Sequence, residues 1–526
     1  MHANPSLLLV QLYSDLQPPD AEPYAVDVLA QAVRDSLSNW IVHTATLDQR
    51  AGSSVESVLD QVRAVRPRVF GISVPQGTYG LAVRLLEQLS TLPKEEQPFL
   101  TVLGHAVPTY AAEEFLGRFP DVVIVRGWGE RALISLLTVS VETTKHDLSR
   151  VLSDVPSLAF MSDRHMTRTV VAPPSRVPVL VQRTPGRYLR RLEGSRGCQY
   201  GRCTFCTRPP GARDSWTRAQ PATLRDALIK MRDDGVTFFT FADEDFIGDD
   251  LSGASEIADI LLSLQCFTFS ISVRSDNVWK RDTSLSENRK RKDLLSKLRC
   301  AGLSFVFLGL ESLSDSQLTR FGKGVRVRDS LQAMAIIRDL DVSLEVGFML
   351  FDPFVTTHEL LESTEALRSS RAWPHVSNIF SRLRVQRGTA YEAFARKHGL
   401  LGEFNPELIS YDWRFASVQA EQIWLAGETW SATFHPALRL VRNAFRQFPQ
   451  ENSLLSFLVF LRDLDLRALE ALLAERKSAN VNAILSPLID ARAREWQKFI
   501  PHLAKKYQVA QEELVTWLKD PFYYEP

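Results

Sequence analysis

The sequence predicts an α/β protein of two successive units followed by a helical region. Three observations carry this. Short apolar runs alternate with amphipathic stretches over residues 6–140, the alternation resumes from residue 188 to about residue 400, and the remainder is rich in aromatics and leucine at helical spacing. Such alternation marks parallel sheets whose strands are joined by crossover helices. A chain of 526 residues also exceeds what one hydrophobic core organises. The expected boundaries are 1–145 for the first unit, 146–187 for a linker, 188–400 for the second unit and 401–526 for the helical region.

In the first unit, residues 6–12, 40–46, 69–74, 99–104 and 122–126 read as strands, and 26–37, 55–65, 81–92 and 111–119 have helical spacing. This predicts a doubly wound parallel sheet, whose ligands sit beyond the carboxyl ends of its strands. The linker contains two runs, 155–160 and 166–171, spaced to pair as a small hairpin. Pro173, Pro174, Pro178 and Pro185 then stiffen an extended segment.

In the second unit, residues 188–192, 237–242, 268–273, 304–309, 343–350 and 376–383 read as six strands. Helical spacing separates the later ones at 224–233, 257–264, 293–300, 327–340 and 357–370. The last region has helical spacing at 454–464, 467–475 and 491–507. It either caps the second unit and shapes a pocket there or simply packs.

Lysine plus arginine and aspartate plus glutamate both number 62, so no global field draws in nucleic acid. The basic spots at 187–191 and 289–292 read as solvated faces. No apolar run reaches the length of a membrane span, and the first residues are not expected to form a signal peptide. A cytoplasmic, reduced setting is expected.

Cys198, Cys203 and Cys206 fall within nine residues. Thiolates grouped this tightly are soft ligands for one metal centre, and three of them leave a corner open. Gly197 and Gly201 supply the backbone freedom such a loop needs. Structural zinc would require a fourth ligand, and zinc or no metal are the alternatives. Cys266 and Cys300 stand alone and read as buried thiols. The loop resembles that of the radical S-adenosylmethionine (SAM) enzymes, in which three cysteines hold a [4Fe-4S] cluster and SAM chelates the fourth iron. The family's usual spacing is three residues and then two, whereas here it is four and then two, with the expected aromatic residue, Phe205, before the last cysteine. The resemblance implies a partial (β/α)6 barrel for the second unit.

The first unit's pattern from Gly104-His105 through Pro108-Thr109 to Arg126-Gly127-Trp-Gly-Glu130 resembles the cobalamin-binding domain fused to many such enzymes. That implies a pocket lined by Ser73, Gln76, Gly104, His105 and Gly127. The Asp-x-His-x-x-Gly motif whose histidine ligates cobalt is missing. The near match from Asp163 through His165 ends in Arg168 beyond the domain and is a decoy. His105, where the family usually has glycine, is expected to line the pocket or to be structural.

The same resemblance suggests roles in the second unit. Asp243, Glu244 and Asp245 follow the second strand as candidate catalytic acids. They must be satisfied by a cation, a donor or water, or else cap a helix. Arg274 would hold the SAM carboxylate, with a surface arginine as the plain alternative. Gly309, Glu311, Ser312 and Gly347 would contact SAM, and the segment continuing through Gly322-Lys323-Gly324 is a familiar extension. Arg382 and Arg384, two apart on the sixth strand, would both face the barrel and favour an acidic substrate. The implied activity is that of a cobalamin-dependent radical SAM enzyme, with methyl transfer to an unactivated carbon first. Radical cyclisation, rearrangement or oxidation follows, and a non-catalytic iron–sulfur protein is the reading of another class. Expected partners are a small-molecule or peptide substrate and an external electron donor of flavodoxin or ferredoxin type.

Overall fold

A computed structural model describes residues 4–17, 21–145, 147–172, 180, 183–186, 188–208, 216–432, 441, 452–474, 481–507 and 511. Pro173, Pro174 and Pro178 of the linker lie outside these residues, as do residues 187 and 475.

Seven strands form the first sheet: β1 (Ser6–Leu12), β2 (Ile41–Leu47), β3 (Val69–Ser73), β4 (Leu100–Gly104), β5 (Val122–Val125), β6 (Leu158–Ser162) and β7 (His165–Arg168). Their order is β2-β1-β3-β4-β5-β6-β7, with the first five parallel and the last two antiparallel. Helices cover both faces, so the central strands are apolar throughout. Leu8 and Val10 of β1 enter the core on one face, and Leu7 and Leu9 the core on the other. The linker hairpin thus belongs to this sheet. Its turn residues, Asp163 and Arg164, have φ of 48° and 67°, the backbone a two-residue hairpin turn requires. The decoy histidine motif is this exposed turn.

The second sheet contains β8 (Arg190–Leu192), β11 (Phe238–Phe241), β12 (Thr268–Arg274), β13 (Leu303–Glu311) and β14 (Ser343–Phe348), all parallel, in the order β14-β13-β12-β11-β8. Between β8 and β11, β9 (Ser195–Arg196) pairs antiparallel with β10 (Thr217–Arg218) and braces the chain as it enters the cysteine loop. The expected sixth strand, residues 376–383, is not a strand. Only two bridges form there, Val346 with Val376 and Phe351 with Arg382. A 3-10 turn at Trp373–His375 and the Asn378 side chain, which accepts from the Phe380 amide at 2.9 Å, bend the segment away from extended backbone.

The last region opens with strands, not helices. Beside β15 (Val385–Gln386), β16 (Leu401–Asn405) and β17 (Ser410–Trp413) form an antiparallel sheet in the order β15-β17-β16. The β16–β17 turn reaches back to the first unit. The Glu407 carboxylate accepts from the Tyr79 and Gly80 amides at 2.8 and 2.7 Å, capping the N-terminus of helix Tyr79–Thr91. Helices Val418–Ala432, Asn452–Ala474 and Val481–Tyr507 follow. The helical runs expected at 454–464 and 467–475 are one continuous helix, Asn452–Ala474. Among the described residues, no helix is long and apolar enough to cross a membrane.

Candidate functional site

A cavity of about 430 Å³ opens at the carboxyl ends of β1, β3, β4 and β5. Ser73, Gln76, Gly104, His105 and Gly127 all stand on its wall. The loops carrying them are tied together. Ser73 Oγ donates to Gln11 Oε1 at 2.9 Å, and Thr109 Oγ1 donates to the His105 carbonyl at 2.7 Å. A short helix that the sequence did not suggest, Ala106–Tyr110, aims Thr109 and Tyr110 at the same space. A Cβ added to Gly104 would meet no atom within 4 Å, so this floor is open backbone facing void. His105 projects into the cavity, where its side chain is exposed to the void but surrounded on all sides by the protein that forms it. That enclosure, with Arg191 nearby, pushes its imidazole down to about 4 and keeps it neutral near pH 7. Its φ of 83° is a conformation non-glycine residues rarely adopt.

The opposite wall comes from the second unit. Glu193, Arg196 and Thr207, which flank the cysteine loop, line it together with Gln386 and Ile409. Arg196 joins the units: its guanidinium pairs with Glu130 at 2.5 Å and Glu193 at 2.8 Å and lies 5.3 Å from the Trp128 ring centre, with both Arg196 and Glu130 buried. Glu22, also buried, pairs with Arg183 and Arg190 and accepts from the Arg191 amide. Glu130 sat within a noted motif, but nothing in the sequence paired it with Arg196. Such pairing is set by which loops the two sheets bring together.

Gly197 and Gly201 have φ of 84° and 61°, and between them the chain wraps tightly around Cys198. The loop rests on the segment after β13. Thr204 donates from its amide to the Phe321 carbonyl at 2.8 Å, Tyr200 Oη donates to the Gly322 carbonyl at 2.6 Å, and Phe205 meets Phe321 edge-on at 5.4 Å. Phe205 therefore supports the loop from behind. A Cβ at Gly324 would lie 2.5 Å from Tyr200 Oη, and Gly322 has φ of 59°, which explains the glycines of that extension.

The three consecutive acids point three ways, which removes their mutual repulsion. Asp243 accepts from the Gly194 amide at 2.9 Å and Ser195 Oγ at 2.5 Å, and burial raises its carboxyl to about 7. Asp245 accepts from Asn277 at 2.7 Å and lies 4.0 Å from Cys198 Sγ. Glu244 pairs with Arg208 at 3.0 Å. None caps the next helix, because Asp250 does. Asp243 and Asp245 instead brace the approach to Cys198.

Arg274 also differs from expectation. Its guanidinium grips Asp276 with two bonds of 2.9 Å, donates to the Lys323 carbonyl at 2.9 Å, and brings Nη1 within 3.5 Å of Cys203 Sγ. Glu311, at a register shift with φ of 70°, pairs with buried Lys323 at 2.9 Å. Gly309 and Gly347 make room for that pair, since Cβ atoms there would lie 2.8 and 3.2 Å from the Glu311 carboxylate. Ser312 is fully buried, accepts from the Ser314 amide and donates to Gln317, so it shapes the turn from inside. Arg382 stacks on Trp413 at 3.7 Å and Trp424 at 4.6 Å, within the cap, and Arg384 is exposed. Cys266 is partly exposed and Cys300 exposed, contrary to the buried thiols expected.

Among the described residues, no three His, Cys, Asp or Glu side chains converge on a point for a single ion. A four-iron cluster asks for something else, because each cysteine meets its own iron. The loop fits that requirement. Burial pushes the Cys206 thiol up to about 11, and Cys203 and Cys198 are near enough to raise it further, while Arg208 opposes them. Metal binding would replace these protons, with Arg208 and Arg274 offsetting the thiolate charge. The glycine floor of the cavity likewise fits a broad, flat macrocycle approached by backbone.

A family model described as "B12 binding domain" matches residues 17–137, and one described as "Radical SAM superfamily" matches residues 192–367. The chain is 27% identical to a 4'-phospho-dehydrooxetanocin synthase of Priestia megaterium over 352 residues, which is 61% of this chain and 46% of that protein. It is 24% identical to an anaerobic magnesium-protoporphyrin IX monomethyl ester cyclase of Rubrivivax gelatinosus, over 62% of this chain and 58% of that one. The chain thus spans about half the length of the curated relatives it matches. Among solved structures, its fold resembles the cobalamin-dependent SAM radical enzyme OxsB (TM-score 0.79, 19% identity, 98% of this chain and 80% of that one). It also resembles the radical SAM methyltransferase TsrM of Kitasatospora setae (TM-score 0.58, 16% identity, 74% and 75%). The radical SAM domain implies a [4Fe-4S] cluster and SAM, and the B12-binding domain implies cobalamin.

Proposed function

We propose that this chain, a member of the radical SAM enzymes that carry a B12-binding domain, catalyses a radical rearrangement or cyclisation at an unactivated carbon of a small molecule. When bound, the cluster and SAM supply a 5'-deoxyadenosyl radical and cobalamin a one-electron or methyl-carrying partner. The observation that carries the reading is a shared wall: Arg196 and Thr207, on either side of the three cysteines, line the glycine-floored cavity. Cys198, Cys203 and Cys206 would hold the cluster. Ser73, Gln76, Gly104, His105 and Gly127 would receive cobalamin. Glu311, Gly309 and Gly347 would border SAM. Asp243 and Asp245 fix the strand that presents Cys198, and the Glu130–Arg196 pair holds the two sites in one geometry. The aromatic cap over Arg382 would help exclude water from the radical.

Rearrangement or cyclisation stands ahead of methyl transfer because the curated relatives are named a synthase and cyclases. Methyl transfer is the second reading, and it rests on the implication of the sequence motifs. An electron donor of flavodoxin or ferredoxin type would serve either. Anaerobically reconstituted protein should release 5'-deoxyadenosine from SAM and show a corrinoid absorption band. With methyl-labelled SAM, label in the product establishes methyl transfer, whereas unlabelled product formed with 5'-deoxyadenosine supports rearrangement. Absence of SAM cleavage would sink both.

A further inference from the structure

We infer that Arg274 is a positioning residue for the iron–sulfur cluster, setting its reduction potential through the Cys203 sulfur, with Asp276 moderating the charge it delivers. The inference rests on the reading that the three cysteines hold a cluster.

The guanidinium is held by three partners. Asp276 takes Nε and Nη2, the Lys323 carbonyl accepts a further bond from Nη2, and the Tyr200 ring lies 3.9 Å from the guanidinium carbon. This leaves Nη1 directed at Cys203 Sγ, 3.5 Å away. Tyr200 itself belongs to the cysteine loop, so arginine and loop are locked to one another. Arg274 is 5% exposed, which means that its charge acts on the sulfur with little water between them.

A hydrogen bond to a ligating sulfur and a nearby positive charge both favour the reduced, more negative cluster. The Asp276 carboxylate, 27% exposed at the side chain, opposes that effect while holding the fork in place. Its two parallel bonds are the geometry in which arginine and lysine are least interchangeable.

The test is the midpoint potential of the cluster in full-length, anaerobically reconstituted protein without SAM, followed by electron paramagnetic resonance. Arg274→Gln should lower the potential, cutting the reduced-to-oxidised ratio at a fixed poise about tenfold, or about 59 mV for a one-electron couple. Arg274→Lys should lower it less. Asp276→Asn should raise it. Shifts of opposite sign for Arg274→Gln and Asp276→Asn support the inference; unmoved potentials, or shifts in the same direction, overturn it. If Arg274→Gln assembles no cluster, Asp276→Asn decides alone, since a fall or no change refutes the idea. Were Arg274 a ligand of the SAM carboxylate instead, SAM affinity would drop and these SAM-free potentials would stay put. Failure of the unsubstituted protein to assemble any cluster would defeat the functional reading itself, a separate result.

Discussion

Across one void the cavity floor faces Arg196 and Thr207, which flank the cysteine loop, and floor and loop are built by opposite means. The floor is backbone and small side chains: Gly104 with open space where a Cβ would stand, Gly127, Ser73 and a neutral imidazole. The loop is dense in charge, with three thiols, Arg208 and Arg274 beside them, and Glu244, Asp245 and Asp276 beyond. On the proposed reading, a large organic cofactor would be received by shape and a small inorganic one by ligands and counter-charges. Substitutions on the two sides should therefore fail differently. The largest effect belongs to the cysteines. Replacing Cys198, Cys203 and Cys206 together with alanine should remove iron, sulfide and SAM cleavage while corrinoid binding persists, measured by metal analysis and absorption. Loss of both cofactors at once would mean that the two sides are not independent.

A second test probes the loop's buried charge. Asp243 has its carboxyl raised to about 7, against an ordinary value of 3.8. Below pH 4 the carboxyl is protonated folded and unfolded, and its contribution to stability is fully present. As pH rises from 4 to 7 the unfolded carboxyl ionises first, so stability falls, and it levels off above 7. Asp243→Asn should abolish this slope, gaining on the unsubstituted protein by at most about 4 kcal/mol across that window. A small constant offset accompanies it, because the carboxamide can still accept from the Gly194 amide but must donate to Ser195 Oγ, reversing that bond. Urea midpoints of the two proteins measured at pH 4 to 8 would check this, and parallel curves would refute it.

What the sequence revealed follows the same division. Three cysteines in nine residues are chemically specific, and the alternation of apolar runs gave both sheets because parallel strands are buried on both faces. The five cavity residues were reachable through the resemblance to a cobalamin-binding domain, which agrees with where doubly wound sheets bind ligands. What stayed hidden was tertiary pairing. Asp243, Glu244 and Asp245 read as one acidic cluster, but their partners come from three different segments. Arg274 read as free because Asp276, two residues on, gave no sign of gripping it. The missing sixth strand had the right composition, and a 3-10 turn with an asparagine side chain bent it aside.

On the cavity side, Gly104→Val should weaken corrinoid binding at least about tenfold, or about 1.4 kcal/mol, with iron content unchanged. The Cβ of the new side chain would meet no protein atom within 4 Å, and valine suits a strand end better than glycine. Stability without corrinoid should hold or rise slightly. A folding defect in place of a binding defect would show that the open space at Gly104 is not where the cofactor lies.

The smallest expected effect concerns His105, where the two styles of construction meet. Its φ of 83° and ψ of −168° fall in a region that essentially only glycine occupies, at a cost of about 1–3 kcal/mol. The surrounding turn over-determines this backbone: the Thr109 hydroxyl and amide both donate to the His105 carbonyl, and Val107 donates from its amide to Val74. The imidazole makes no such structural contribution and stands in the cavity. His105→Gly should therefore stabilise the corrinoid-free protein by about 1 kcal/mol, a rise of about 2 °C in melting temperature. The cost should appear only in binding, as a modest loss of corrinoid affinity with the absorption band unmoved, because an imidazole that contacts the macrocycle edge leaves the metal's ligands unchanged when removed. A shifted band would make His105 a cobalt ligand and turn this floor, too, into a site of side-chain chemistry.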